Sequence, residues 1–191
     1  MNKIILASQS PRRKQLLEWA EIPFDIFVQS TDESYPEDLP IPEVPAHIAL
    51  HKAKAVQQIL NKQQKQQIIL AADTVVVLGT DIIGKPKDKD DAIRILSALS
   101  GKEHKVITGV VIVEGEKVIS FADTTNVLFH DLTQQQIAFY VDKYKPYDKA
   151  GAYAIQEWIG VVGIKKVEGD FYNVMGLPVS RVVQELNKLS I

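Results

Sequence analysis

Short apolar runs of strand length alternate along the chain with stretches in which apolar residues return every three or four positions. That order is expected of an α/β protein whose helices cover a sheet. The strand runs are Lys3 to Ala7, Phe24 to Gln29, Ile68 to Leu78, Lys105 to Glu114 and Lys117 to Phe129. The last two are separated only by Gly115-Glu116, a hairpin signal, so the sheet should be mixed.

Three prolines stand where a first helical turn tolerates them: Pro11 after Ser10, Pro45 after Val44, and Pro178 after Leu177. Val179, Val182, Val183, Leu186 and Leu189 give the last helix one buried stripe. Ala92, Ile95, Leu96 and Leu99 share a face of another helix, which begins in the acidic run Asp88 to Asp91 and stops before Gly101; acids at its start suit the helix dipole. Asn61 to Gln67 reads as a solvated helix end. The proline-interrupted segment Ser30 to Pro42 carries Asp32, Glu33, Glu37 and Asp38 without a basic residue. It is either a loop of solvated acids or the donor of a carboxylate to a metal.

A chain of 191 residues is one domain or a pair of closely packed lobes. Charged residues make up 24%, hydrophobic ones 46%, and the net charge is −2, so disorder is excluded as the main state and the basic field of a nucleic-acid binder is missing. Cysteine is absent, which removes disulfides, thiolate nucleophiles and sulfur-ligated zinc. Before polar residues resume, Lys3 is followed by only four apolar residues, too few for a signal-peptide core or a membrane span, so a cytoplasmic protein without membrane partners is expected.

Three groups of residues could carry chemistry. Ser8-Gln9-Ser10-Pro11-Arg12-Arg13 joins a strand to a helix and holds two of the chain's four arginines. It is either a helix cap with solvated arginines or an anion site in which backbone N–H groups and guanidinium groups converge. Asp73, followed by Thr74, interrupts the apolar run Ile68 to Leu78; a carboxylate there is desolvated unless a cation or metal compensates it, so it is either a structural acid that caps a neighbouring loop or a functional carboxylate. Lys52, Lys85 and Lys149 form the third group. Lys52 falls on the Ile48, Val56 and Ile59 side of its helix, where its stem can lie along apolar surface. Each lysine taken alone reads as a solvated surface residue.

Two apparent motifs fail on chemistry. Gly79 to Lys85 spells G-x-x-x-x-G-K, but Pro86 stands where a P-loop needs Ser or Thr for Mg²⁺, and Ile82-Ile83 is strand-like. His47 and His51 have zinc-ligand spacing, yet Ile48 replaces the general-base Glu and no third ligand is evident, so they read as solvated helix histidines.

Together the remaining signals resemble one family, the Maf-like nucleoside triphosphate pyrophosphatases, across nearly the whole chain. The resemblance is carried in order by Leu6-Ala7-Ser8-Gln9-Ser10-Pro11-Arg12-Arg13-Lys14-Gln15-Leu16-Leu17, by Ala72-Asp73-Thr74-Val75-Val76, by Gly84-Lys85-Pro86, and by Leu99-Ser100-Gly101-Lys102-Glu103-His104 with Thr108-Gly109-Val110. It continues in Asp148-Lys149-Ala150-Gly151-Ala152-Tyr153-Ala154-Ile155-Gln156 and Asn173-Val174-Met175-Gly176-Leu177-Pro178. The chain departs from the family pattern at Lys145, where Glu is common, and at Glu157-Trp158, where a glycine-containing turn is common.

The resemblance implies one Maf-like domain over residues 1–191, an elongated mixed-sheet α/β fold like that of inosine triphosphate pyrophosphatases, with two lobes around a cleft. It also implies cleavage of a nucleoside triphosphate to monophosphate and pyrophosphate. Asp73, Glu33, Lys52 and Lys85 are the implied catalytic group, with Glu33 and Asp73 holding Mg²⁺ or Mn²⁺. Ser8, Arg12, Arg13, Thr74, Lys149 and Gln156 are the implied substrate contacts. Arg12, Thr74 and Gln156 together resemble the branch acting on dTTP and UTP. A homodimer is the family expectation. Two alternatives are an enzyme for 7-methyl-GTP or for noncanonical nucleotides broadly, and a non-hydrolysing nucleotide sensor that regulates cell division.

Overall fold

A computed structural model describes residues 3–61 and 64–189. In chain order the strands and α-helices are β1 Ile4–Leu6, α1 Pro11–Trp19, β2 Phe24–Ile26, α2 Val44–Ile59, β3 Ile69–Leu78, β4 Asp81–Ile83, α3 Lys89–Leu99, β5 Glu103–Glu114, β6 Lys117–Phe129, α4 Gln134–Tyr144, α5 Trp158–Gly163, β7 Ile164–Glu168, α6 Phe171–Met175 and α7 Val179–Leu186. The fold is mixed α/β, as the alternation of patterns implied. The strands form one sheet of order β2-β1-β3-β5-β6-β7, with β4 added to β3. β1 runs parallel to β2 and β3, whereas β4 and β7 lie antiparallel to β3 and β6. The hairpin residue Gly115 has φ +59°, the left-handed conformation that the two-residue link from β5 to β6 requires.

Several boundaries differ from the sequence expectations. β2 ends at Ile26 rather than Gln29: Phe27 still donates its N–H to Leu6 O at 3.2 Å, after which the chain leaves the sheet. The segment Asn61 to Gln67 contains Lys62 and Gln63, which lie outside the described residues; Gln64–Gln66 form a turn of 3₁₀ helix. Asp81–Ile83 pair with Val76–Leu78, so the Gly79 to Lys85 segment is a hairpin followed by an exit, not a phosphate loop.

The chain divides into two compact units, and the division falls inside β3, β5 and β6. The first unit comprises Met1–Asp73, Thr108–Asp123 and Gly176–Ile191. Its core packs the small face of α2, Ala49, Ala53 and Val56, against Ile5, Ala7, Ile69, Ala71, Val111 and Val113 of the sheet. Small residues let the helix lie close to the strands. Closest of all is Gly109, where an added Cβ would fall 2.0 Å from Ala46 N and 2.3 Å from Pro45 C, so only glycine admits the first turn of α2. That contact sets the height of α2 on the sheet, and with it the position of Lys52.

The second unit comprises Thr74–Ile107 and Thr124–Met175. Asp88 caps α3 by accepting the Asp91 N–H at 2.8 Å, and Thr133 and Gln136 close a reciprocal capping box on α4. A buried aromatic cluster joins His104, Phe129 and Tyr153, with ring centroids 5.0 to 5.5 Å apart. Asn173, fully buried, donates to Val106 O at 3.1 Å and to Thr125 Oγ1 at 2.9 Å, tying α6 to β5 and β6.

Candidate functional site

The first unit holds Ser8, Arg12, Arg13, Glu33, Lys52 and Asp73. Pro11 starts α1 and Ser10 caps it, its side chain accepting the Arg13 N–H. The segment before the helix is folded onto itself: Ser8 Oγ accepts from the Ser10 N–H at 3.2 Å and from Arg13 Nη1 at 3.1 Å. Arg13 is 8% exposed, and its Nε donates to Gly176 O at 2.7 Å, which ties α1 to the chain entering α7. Burial pulls the Arg13 guanidinium below its ordinary value, with Arg12 adding to the effect and the charges of Asp73 and Glu33 opposing it. A guanidinium stays protonated through such a change. The opening motif is therefore a helix cap, but Arg13 is buried rather than solvated, and its guanidinium adds positive charge beside the cap.

Asp73 has a cation to compensate it. β3 is buried from Ile69 through Ala72, and Asp73 is where side-chain exposure first opens, at 16%. Lys52 reaches it from α2, with Nζ 2.6 Å from Asp73 Oδ1 and 2.7 Å from Glu33 Oε1. Glu33 arrives on the acidic loop, half exposed. Beside it Asp32 accepts the Ser34 N–H at 2.9 Å and the Ser34 hydroxyl at 2.8 Å, which holds its carboxyl below the usual range. Lys52 is thus no solvated surface lysine. The companion expectation for Ile59 also fails: the buried face of α2 runs through Ile48, Ala49, Ala53 and Val56, and Ile59 is exposed.

The second unit holds Thr74, Lys85, Lys149 and Gln156. Thr74 is half-buried, whereas Lys85 and Gln156 are exposed. The Gly151 N–H donates to Gly84 O at 3.2 Å, so the Gly84-Lys85-Pro86 and Lys149 to Gln156 motifs meet. Lys149 corrects the expectation of a solvated lysine: it is 8% exposed, with Nζ 2.8 Å from Asp148 Oδ1 and 3.6 Å from Glu157 Oε1. Gln156 occupies a turn closed by the Glu157 N–H donating to Ala154 O at 3.1 Å. Both ends of this turn meet the hydroxyl of buried Tyr140, which accepts the Ala154 N–H at 3.1 Å and donates to the Glu157 carboxylate. Sequence reasoning did not single out Tyr140; the Thr133-x-x-Gln136 pattern marks the helix that carries it, but nothing local marks its partner.

His47 and His51 lie with ring centroids 4.4 Å apart and tilted on α2, and among the described residues no three His, Asp or Glu side chains gather as a metal cluster. Glu33 and Asp73 still fit a hard divalent cation. Their oxygens already converge on one positive charge, and Mg²⁺ is commonly held by one or two carboxylates together with substrate phosphate oxygens.

Fold and site define an α/β protein in which a cationic cluster at the β1-to-α1 junction lies within electrostatic range of two carboxylates that share one lysine. Residues 3–189 match the family model described as Maf-like protein. The chain is 50% identical over 186 residues to a dTTP/UTP pyrophosphatase of Cytophaga hutchinsonii, covering 97% of this chain and 84% of that protein. It is 44% identical over 188 residues to a dTTP/UTP pyrophosphatase of Bacteroides thetaiotaomicron, covering 98% and 96%. Among solved structures, the Staphylococcus aureus Ham1 protein matches with a TM-score of 0.52 and 14% identity over 97% of this chain and 100% of that one, a likeness of fold alone. The chain belongs to the Maf-like protein family.

Proposed function

We propose that this protein hydrolyses dTTP and UTP, and related modified pyrimidine nucleotides, to the monophosphate and pyrophosphate. The observation that carries the chemistry is the single ammonium of Lys52 held between the carboxylates of Asp73 and Glu33. Relatives named dTTP/UTP pyrophosphatase, matched almost end to end, support the substrate.

Cleavage between the α and β phosphorus atoms needs an oriented water, neutralised phosphate charge and a positioned leaving group. In this reading Asp73 orients the attacking water and takes its proton. Lys52 holds Asp73 in place and, with Lys85 and Lys149, supplies point charges to the phosphate chain. Arg12 and Arg13 offer guanidinium contacts there and Ser8 a hydroxyl, while Thr74 and Gln156 meet the nucleoside, Gln156 with both a donor and an acceptor for the base. Glu33 and Asp73 would hold Mg²⁺ or Mn²⁺, which when bound neutralises phosphate oxygens and polarises the scissile bond.

The same reading places the enzyme in the cytoplasm as a homodimer, acting on free nucleotides rather than nucleic acid. No described helix is long and apolar enough to cross a membrane. A nucleotide panel with product analysis tests the proposal. Monophosphate plus pyrophosphate from dTTP and UTP supports it, diphosphate plus phosphate contradicts it, and binding without turnover selects the sensor alternative.

A further inference from the structure

We propose that Tyr140 and Glu157 form a clamp that positions Gln156, making them positioning residues for base selectivity. This inference rests on the pyrimidine reading above and adds what holds its base-reading residue. Gln156 is exposed, and a solvated side chain on a loose loop would select little, because orientation would be lost to chain freedom. The turn beneath it is not loose. Ala154 and Glu157, its first and last residues, are joined by the Glu157 N–H to Ala154 O bond of 3.1 Å.

One hydroxyl then spans the same two residues. Tyr140 Oη accepts the Ala154 N–H at 3.1 Å and donates to the Glu157 carboxylate. Tyr140 is fully buried on α4, its ring stacked on Tyr144 at 4.9 Å, so the hydroxyl is a fixed point rather than a mobile one. The other oxygen of Glu157 faces the buried ammonium of Lys149 at 3.6 Å, which completes a chain from Lys149 through Glu157 and Tyr140 to the backbone of Ala154. Each group in that chain limits the rotamers of the next.

The test compares kcat/KM for dTTP and for GTP in the parent, Tyr140→Phe, Glu157→Ala and Glu157→Gln, with hydrogen exchange measured over residues 150–157. Tyr140→Phe keeps the ring and Glu157→Ala leaves the core of α4 intact, so either reports if the other fails to fold. Both should lower the dTTP-to-GTP ratio by about tenfold and speed exchange of the turn, on the scale of one lost orienting hydrogen bond. Glu157→Gln, whose amide oxygen still accepts from Tyr140, should keep the ratio within about twofold of the parent. An unchanged ratio or unchanged exchange in the first two variants, or an equal fall for both nucleotides, overturns the clamp while a dTTP-selective parent keeps the pyrimidine reading. A parent that turns over dTTP and GTP equally overturns that reading, and the clamp falls with it.

Discussion

Lys52 Nζ stands 2.6 Å from Asp73 Oδ1, and the same ammonium reaches Glu33 Oε1 at 2.7 Å. Two carboxylates on separate segments, a strand and an acidic loop, are thereby drawn to one point by a helix lysine. Asp73→Asn keeps the shape and removes the charge, so turnover of dTTP and UTP should fall at least ~10²-fold, the range of a lost general base, with nucleotide binding retained. Steady-state kinetics beside a direct binding measurement separates the two effects. Parent-level turnover in the variant would remove Asp73 from the chemistry.

Turnover should require a divalent cation. Without one, the phosphate chain and the carboxylates of Glu33 and Asp73 repel each other, with Lys52 shared between both acids. EDTA should abolish activity, and Mg²⁺ or Mn²⁺ should restore it. Full activity after exhaustive chelation would strike Glu33 and Asp73 from the metal role.

A third expectation concerns stability and pH. His104 is 2% exposed and its Nε2 lies 2.7 Å from the Tyr153 hydroxyl. Burial pushes its imidazole down to about 4 from 6.5, and a hydrogen bond with the Lys102 backbone opposes this in part. Burial likewise drives the Tyr153 phenol upward, so both groups are neutral in the fold. Because the folded value is depressed, the unfolded chain takes up a proton between these limits that the folded chain refuses. The stabilisation is fully present above about 6.5 and declines as pH falls towards about 4, by about 3 kcal/mol in all. Urea titrations at about pH 7 and about pH 4.5 should show that loss in the parent and a smaller one in His104→Gln. The same loss in both proteins would assign it to other groups.

The parts of the site legible from sequence are those where one residue contradicts its surroundings. Asp73 is a charge in an apolar strand, Pro11 after Ser10 announces a helix start, and three prolines interspersed with four acids announce a loop. Lys149 is marked by its motif but its burial is not legible, because its ammonium meets Glu157 eight residues further on, beyond a 3₁₀ turn and the Gln156 turn. Tyr140 is hidden for the same reason, since its hydroxyl contacts lie on another segment. β7 carries no strand signal because Ile164-Lys165-Lys166-Val167-Glu168 is polar and mostly exposed at the sheet edge. α5 and α6 are too short for a helical period to emerge.

The last expectation concerns base choice. A pyrimidine edge with a 2-keto oxygen beside a 3-NH presents an acceptor next to a donor, and the planar amide of Gln156 can answer both, whereas an ionised Glu only accepts. Gln156→Glu should leave the keto oxygen facing a carboxylate and cost roughly 1 to 3 kcal/mol in transition-state binding for dTTP or UTP. Gln156 is exposed on its turn, and neither its amide nor the substitution enters the Tyr140 and Glu157 contacts that hold that turn, so the fold should be preserved. The loss should therefore depend on the base. Measuring kcat/KM for dTTP, UTP, GTP and 7-methyl-GTP in parent and variant checks this. An equal fall for all four would indicate a defect in phosphate binding or folding, and a parent that prefers 7-methyl-GTP to both pyrimidines would reverse the substrate assignment.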